Sequence, residues 1–317
     1  MSFIGAIKSG LRWALRAPGM AVALWLVNLL VALPAAGAMG ALLEESIGAS
    51  LVHEKMRASL DMEWYWGFSE KAGGIVETFT PGIVGAGAFY DNLESWITGD
   101  LFGLFPGLVA LGILYALLWA FLLGGVLERM AGPGGTAALS GFAQAGGRYF
   151  SRFVRLAMMT AVPYVLIYLA ARWFYEHLAT LTRDVTEERT IFAVSLLTLA
   201  ATSLLLVIVH MASDYAKIAT VLQDHGDARR GMLRALAGGF RFVLSHPGAV
   251  FGIYYGVGLI GALLLGLYAL IAPGAGQSTI IGVVLAFLVA QLFLLARVAV
   301  RLTLLGSQMN FYRTKSG

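Results

Sequence analysis

The chain reads as an all-α polytopic membrane protein: six transmembrane helices in three modules, each a basic surface helix followed by a pair of spans. Three observations predict it. Six apolar runs, at about 19–42, 101–126, 153–174, 190–213, 248–272 and 279–303, reach the roughly 20 residues that a helix needs to cross a hydrocarbon core. Basic stripes at helical spacing precede three of these runs: Lys8, Arg12 and Arg16; Arg148, Arg152 and Arg155; Arg230, Arg234 and Arg241. The segments carrying the first and third stripes align without gaps at an offset of 229 residues. Ala6, Gly10, Arg12, Leu15, Pro18 and Gly19 match Ala235, Gly239, Arg241, Leu244, Pro247 and Gly248.

Composition agrees. Of 317 residues, 59% are hydrophobic and 13% charged, far from the averages of soluble proteins. The mean hydropathy of +0.78 says the same. The runs are continuous rather than alternating, and lipid offers unpaired backbone groups no partner, so the spans are helices. The basic excess points to topology rather than to nucleic acid. With a cytoplasmic N-terminus and six spans, sixteen of the 22 Lys and Arg but only four of the 18 acids fall on the cytoplasmic side. The positive-inside rule then places both termini in the cytoplasm, and a bacterial inner membrane is the expected location. No cysteine is present, which excludes a disulfide framework or a thiolate site.

The first module covers 1–130. Its surface helix sets Phe3, Ile4, Ile7, Leu11, Ala14 and Leu15 against Lys8, Arg12 and Arg16, the pattern of a helix lying in the membrane interface. Pro18 opens the first span, since proline suits a first helical turn and interrupts the helix before it. The apolar stretch from Gly19 is too long for a signal-peptide core, so the span is expected to be retained. The outer loop at 43–100 holds ten acids, three bases and aromatics such as Trp64, Trp66 and Phe68, and reads as short helices held at the outer interface. Module two covers 135–224. Its Ala145-Gly146-Gly147 echoes Ala237-Gly238-Gly239, one residue out of register with the arginines. Asp184 and Glu187 suit a capping box for the fourth span. Module three covers 226–312 and sets Met232, Leu233, Leu236, Phe240 and Val243 against Arg230, Arg234 and Arg241; Pro247 opens the fifth span. Gly103 with Gly107 and Gly252 with Gly256 predict close helix packing.

Polar groups at membrane depth are the first candidates for function. His210 and Asp214 share a face at the end of the fourth span, and Arg297 and Arg301 share one at the end of the sixth. An Asp214 pair with Arg297 or Arg301 reads as a structural ion pair or as a proton or anion relay, and the boundary position favours the first. Asn28 and Gln291 read as interhelical hydrogen bonds. There is no H-E-x-x-H, G-x-S-x-G or P-loop, and His53-Glu54 is too small a set for zinc. No catalytic residue, metal or cofactor is expected. The nine stripe cations suit contact with anionic lipid, each contributing about 1 kcal/mol near such a surface.

Three segments carry a resemblance: Gly239-Phe240-Arg241-Phe242-Val243-Leu244-Ser245-His246-Pro247-Gly248, Asp214-Tyr215-Ala216-Lys217-Ile218, and Arg183-Asp184-Val185-Thr186. Through them most of the chain resembles a family of six-span bacterial membrane proteins whose shared domain has no assigned function. More distantly it is similar to the membrane domain that precedes some glycerophosphodiester phosphodiesterases. No histidine here is followed by Arg-Gly, the start of that enzyme's catalytic signature, so its activity does not carry over. The expected function is a non-enzymatic membrane scaffold or accessory subunit. Its partners would be membrane lipids, with another membrane protein as a further candidate, and no nucleic acid. The alternative is a transporter of small solutes or lipids.

Overall fold

A computed structural model describes residues 2–48, 61–73, 79, 106–132, 139–181, 188–224, 231–272 and 279–316. Among these the chain is helical, with no strand. The helices are α1 (Phe3–Arg16), α2 (Pro18–Gly48), α3 (Met62–Ser69), α4 (Pro106–Ala131), α5 (Leu139–Leu181), α6 (Glu188–Asp224), α7 (Met232–Ser245), α8 (Pro247–Ile271) and α9 (Ile280–Ser316). Six of them, α2, α4, α5, α6, α8 and α9, are long and apolar enough to cross a membrane, as in a multi-pass membrane protein. The capping pair Asp184 and Glu187, the His53-Glu54 pair, Arg230 and Gly103 lie outside the described residues.

Proline explains where several helices begin. Pro18, Pro106 and Pro247 each occupy the first position of a helix, where the missing N–H costs nothing. Proline also disfavours helical backbone in the residue before it, so α1 stops before Ala17 and α7 stops before His246, whose φ is −131°. The second module differs from the expectation of a separate surface helix. Leu139–Leu181 has no proline before Pro163, so nothing breaks the backbone ladder, and α5 continues from the Arg148–Arg155 segment into its apolar part as one helix of 43 residues.

The chain divides into two compact units. The first comprises Met1–Trp13, Tyr115–Val257 and Thr303–Gly317. Its core gathers large side chains fully removed from solvent, among them Leu127, Tyr149, Phe153, Leu156, Met211, Tyr215, Ile253 and Phe311. Tyr215 and Phe242 pack ring to ring with centroids 4.7 Å apart, and Tyr312 lies 4.8 Å from Phe242.

The second unit comprises Ala14–Leu114 and Gly258–Leu302. Trp25 on α2 donates through Nε1 to Gln291 Oε1 on α9 at 2.9 Å, the interhelical bond expected of Gln291. Asn28 behaves differently: its Nδ2 donates to the Leu24 carbonyl of its own helix at 2.7 Å. Tyr268 and Phe293 stack at 4.4 Å. Within the 43–100 segment, α3 is capped by Asp61, which accepts from the Glu63 and Trp64 backbone N–H groups. Trp64 stacks on Phe68 at 4.9 Å and donates to Ser46 Oγ on α2 at 3.1 Å, so the loop aromatics bind α3 to the end of α2.

Candidate functional site

Three helices bear the basic stripes, and glycine seats each of them on a neighbour. On α1, Ala6, Gly10 and Ala14 are buried at four-residue spacing. A Cβ at Gly10 would collide with the Thr303 carbonyl oxygen and the Ser307 hydroxyl of α9. Ser9 Oγ accepts from Asn310 Nδ2 at 2.9 Å beside this contact. Phe3 and Ile7 fill the space over Gly252 and Gly256 of α8, where a Cβ would lie 3.0 Å from Phe3 Cγ and 2.7 Å from Ile7 Cδ1. The Gly252–Gly256 pair therefore admits side chains rather than a backbone.

On α5 a Cβ at Gly146 would lie 2.9 Å from the Phe121 ring and 3.0 Å from the Phe121 carbonyl oxygen of α4. On α7 a Cβ at Gly239 would collide with the Ala212 carbonyl oxygen and lie 3.2 Å from the Ala216 nitrogen of α6. The seat glycines are thus Gly10, Gly146 and Gly239, while Gly147 and Gly238 face open space. This corrects the sequence register, which paired Gly146 with Gly238. In the structural register each seat opens the same four residues: Gly10-Leu11-Arg12-Trp13, Gly146-Gly147-Arg148-Tyr149 and Gly239-Phe240-Arg241-Phe242. The pattern glycine, any residue, arginine, aromatic was the signal that sequence reading missed.

The apolar faces expected for α1 and α7 are each split in two. Ala6, Gly10 and Ala14 turn inward, whereas Ile4, Leu11 (41% exposed) and Leu15 (70%) turn outward. At about 3.6 residues per turn, Lys8, Arg12 and Arg16 form an arc flanking that outward stripe. All three cations are exposed, and none forms an ion pair with a described residue. On α7, Met232, Ala235, Leu236, Gly239 and Val243 are buried while Leu233 and Leu244 (66%) are exposed beside Arg234 and Arg241, neither of which forms an ion pair with a described residue.

The stripe on α5 is used differently. Asp224, at the end of α6 with its side chain 3% exposed, receives Arg148 Nη2 at 3.0 Å on Oδ2 and Arg152 Nη1 at 3.1 Å on Oδ1. The Tyr149 hydroxyl donates to Glu128 Oε2 at 3.0 Å and lies 3.4 Å from Asp224 Oδ2. Arg155 is exposed. Sequence reading did not find Glu128, Tyr149 or Asp224, because each comes from a different helix and no local spacing links them.

Asp214 is buried on α6. Lys217 Nζ donates to its Oδ1 at 3.0 Å, and His210 Nε2 lies 3.6 Å from its Oδ2. His210 meets the Tyr254 ring edge-on at 6.0 Å. The shared face of His210 and Asp214 is as expected, and Lys217, three residues on, supplies a compensating charge that the sequence reading did not assign. Arg297 and Arg301 belong to the second unit, with both side chains exposed. Among the described residues no three His, Asp or Glu side chains gather as metal ligands do. No protein-family model matches the chain, and neither a curated protein nor a solved structure matches it.

Proposed function

We propose that this chain is a non-enzymatic multi-pass protein of a bacterial inner membrane. It acts there as a scaffold or accessory subunit whose basic helices bind anionic lipid at the cytoplasmic leaflet, with a partner membrane protein as a further occupant. Both termini are cytoplasmic, and the chain is three modules of a surface helix and two spans. The seat glycines support the module reading: α5 rests on α4, α7 on α6 and α1 on α9, so the helix opening each module rests on the last span of another. The receiving residues Phe121, Ala212 and Thr303 follow at intervals of 91 residues.

The observation that carries the function is the pairing of exposed leucines with exposed arginines that no described carboxylate neutralises, on both α1 and α7. An exposed leucine costs free energy in water and nothing in acyl chains, while an unpaired cation gains most beside an anionic headgroup. A helix that presents both, side by side, is matched to the interface. Lipid extracted with the purified protein from native membrane should be richer in anionic phospholipid than the bulk membrane. Equal proportions would reject the reading.

A transporter is the second reading. It is favoured by Asp214, a carboxylate buried within an apolar helix beside His210 and Lys217. Solute flux in proteoliposomes that collapses on Asp214→Asn would establish it over the scaffold.

A further inference from the structure

Resting on the lipid-binding reading, we propose that Arg12 and Arg16 form a two-point clamp for the phosphate of one anionic phospholipid, with Leu11 and Leu15 against its acyl chain. The clamp is already seen closed elsewhere in the chain. Arg148 and Arg152 stand two and six residues after the seat glycine Gly146, one helical turn apart, and each holds one oxygen of the Asp224 carboxylate. Arg12 and Arg16 stand two and six residues after the seat glycine Gly10, on one face of one helix. The same spacing that spans two carboxylate oxygens suits two oxygens of a phosphodiester, and the arginine fork matches either anion.

What differs between the two pairs identifies the ligand. Among the described residues no carboxylate meets the first pair, and neither arginine forms an ion pair there. The residues that precede the arginines differ as well. Gly147 and Ser151 precede Arg148 and Arg152, where the anion is internal; Leu11 and Leu15 precede Arg12 and Arg16 and are exposed. Inorganic phosphate would gain nothing from those leucines, whereas a phospholipid would. On α7 the second position is Ser245, so Arg241 stands without a second arm and makes no clamp.

The test is native mass spectrometry of the full chain in detergent, titrated with phosphatidylglycerol, phosphatidylcholine or inorganic phosphate. The wild type should retain one phosphatidylglycerol in preference to phosphatidylcholine. Arg12→Gln with Arg16→Gln should weaken that retention about tenfold, and Leu11→Ser with Leu15→Ser about threefold. Arg129→Gln with Lys315→Gln makes the same change of net charge away from the clamp and should leave retention within about twofold. Arg12→Lys with Arg16→Lys keeps charge and fold but loses the fork, and should still lower retention. An equal loss from both glutamine pairs would overturn the clamp and leave the broader lipid reading standing. Full retention in the lysine pair would also overturn it. Displacement by millimolar inorganic phosphate, with the leucine variant unchanged, would make it a simple anion site. Equal retention of phosphatidylglycerol and phosphatidylcholine by the wild type would remove the lipid reading itself.

Discussion

Arg152 closes on Asp224 at 3.1 Å and ties the basic segment of α5 to the last turn of α6. Asp224 is almost wholly buried, Arg152 mostly so, and Arg148 about half exposed. Removing the shared acceptor leaves Arg148 and Arg152 without the carboxylate they hold in common. Asp224→Asn should therefore lower stability by about 2–3 kcal/mol, and Arg152→Gln should cost more than Arg148→Gln, whose half-exposed arginine is screened by solvent and contributes under about 1 kcal/mol. Unfolding midpoints in mild detergent would check the order. A larger loss from Arg148→Gln would contradict it.

Adjacent glycines on one helix should respond with opposite signs. Gly239→Ala drives a methyl into the α6 backbone at Ala212 and should cost about 1–3 kcal/mol, because a backbone carbonyl cannot move aside as a side chain can. Gly238→Ala meets open space and should gain up to about 1 kcal/mol from helix propensity. Gly146→Ala and Gly147→Ala should repeat the contrast on α5. Thermal unfolding of the four variants reads it directly.

The Trp25–Gln291 bond is open to a double-mutant cycle. Trp25→Phe, Gln291→Leu and the double variant should give a coupling of about 0.5–1.5 kcal/mol, the range of interhelical hydrogen bonds in lipid. A coupling of zero would mean that the two side chains only pack.

Orientation is testable because the chain has no cysteine of its own. In spheroplasts a membrane-impermeant maleimide should label Glu70→Cys and leave Arg234→Cys unlabelled until the membrane is opened. The reverse pattern would overturn the proposed topology.

The helices were legible because their signal is local: some 20 consecutive apolar residues mark each one, and proline fixes the start of α2 and α8, but α5, α6 and α9 run well past their apolar runs. Which side of each helix meets protein was not legible, since lipid and protein interior are equally apolar and hydrophobicity cannot separate them. Ala6, Gly10 and Ala14 turn inward while Ile4, Leu11 and Leu15 turn outward, and only the smallness of the first three marks the difference. Lys217 was within reach, lying three residues from Asp214 on the same helix. Asp224 was not, because the arginines that hold it are more than seventy residues away and nothing in either segment names the other.

The seat of Gly10 on α9 has a consequence for biosynthesis. Ser9 and Asn310, which bond beside this seat, lie 301 residues apart, so α1 leaves the ribosome long before the helix it rests on. Until α9 is made, Gly10 lacks the backbone at Thr303 and Ser307 on which it rests. A contact of such high sequence separation forms late, because the loop-closure entropy between its partners must be met first.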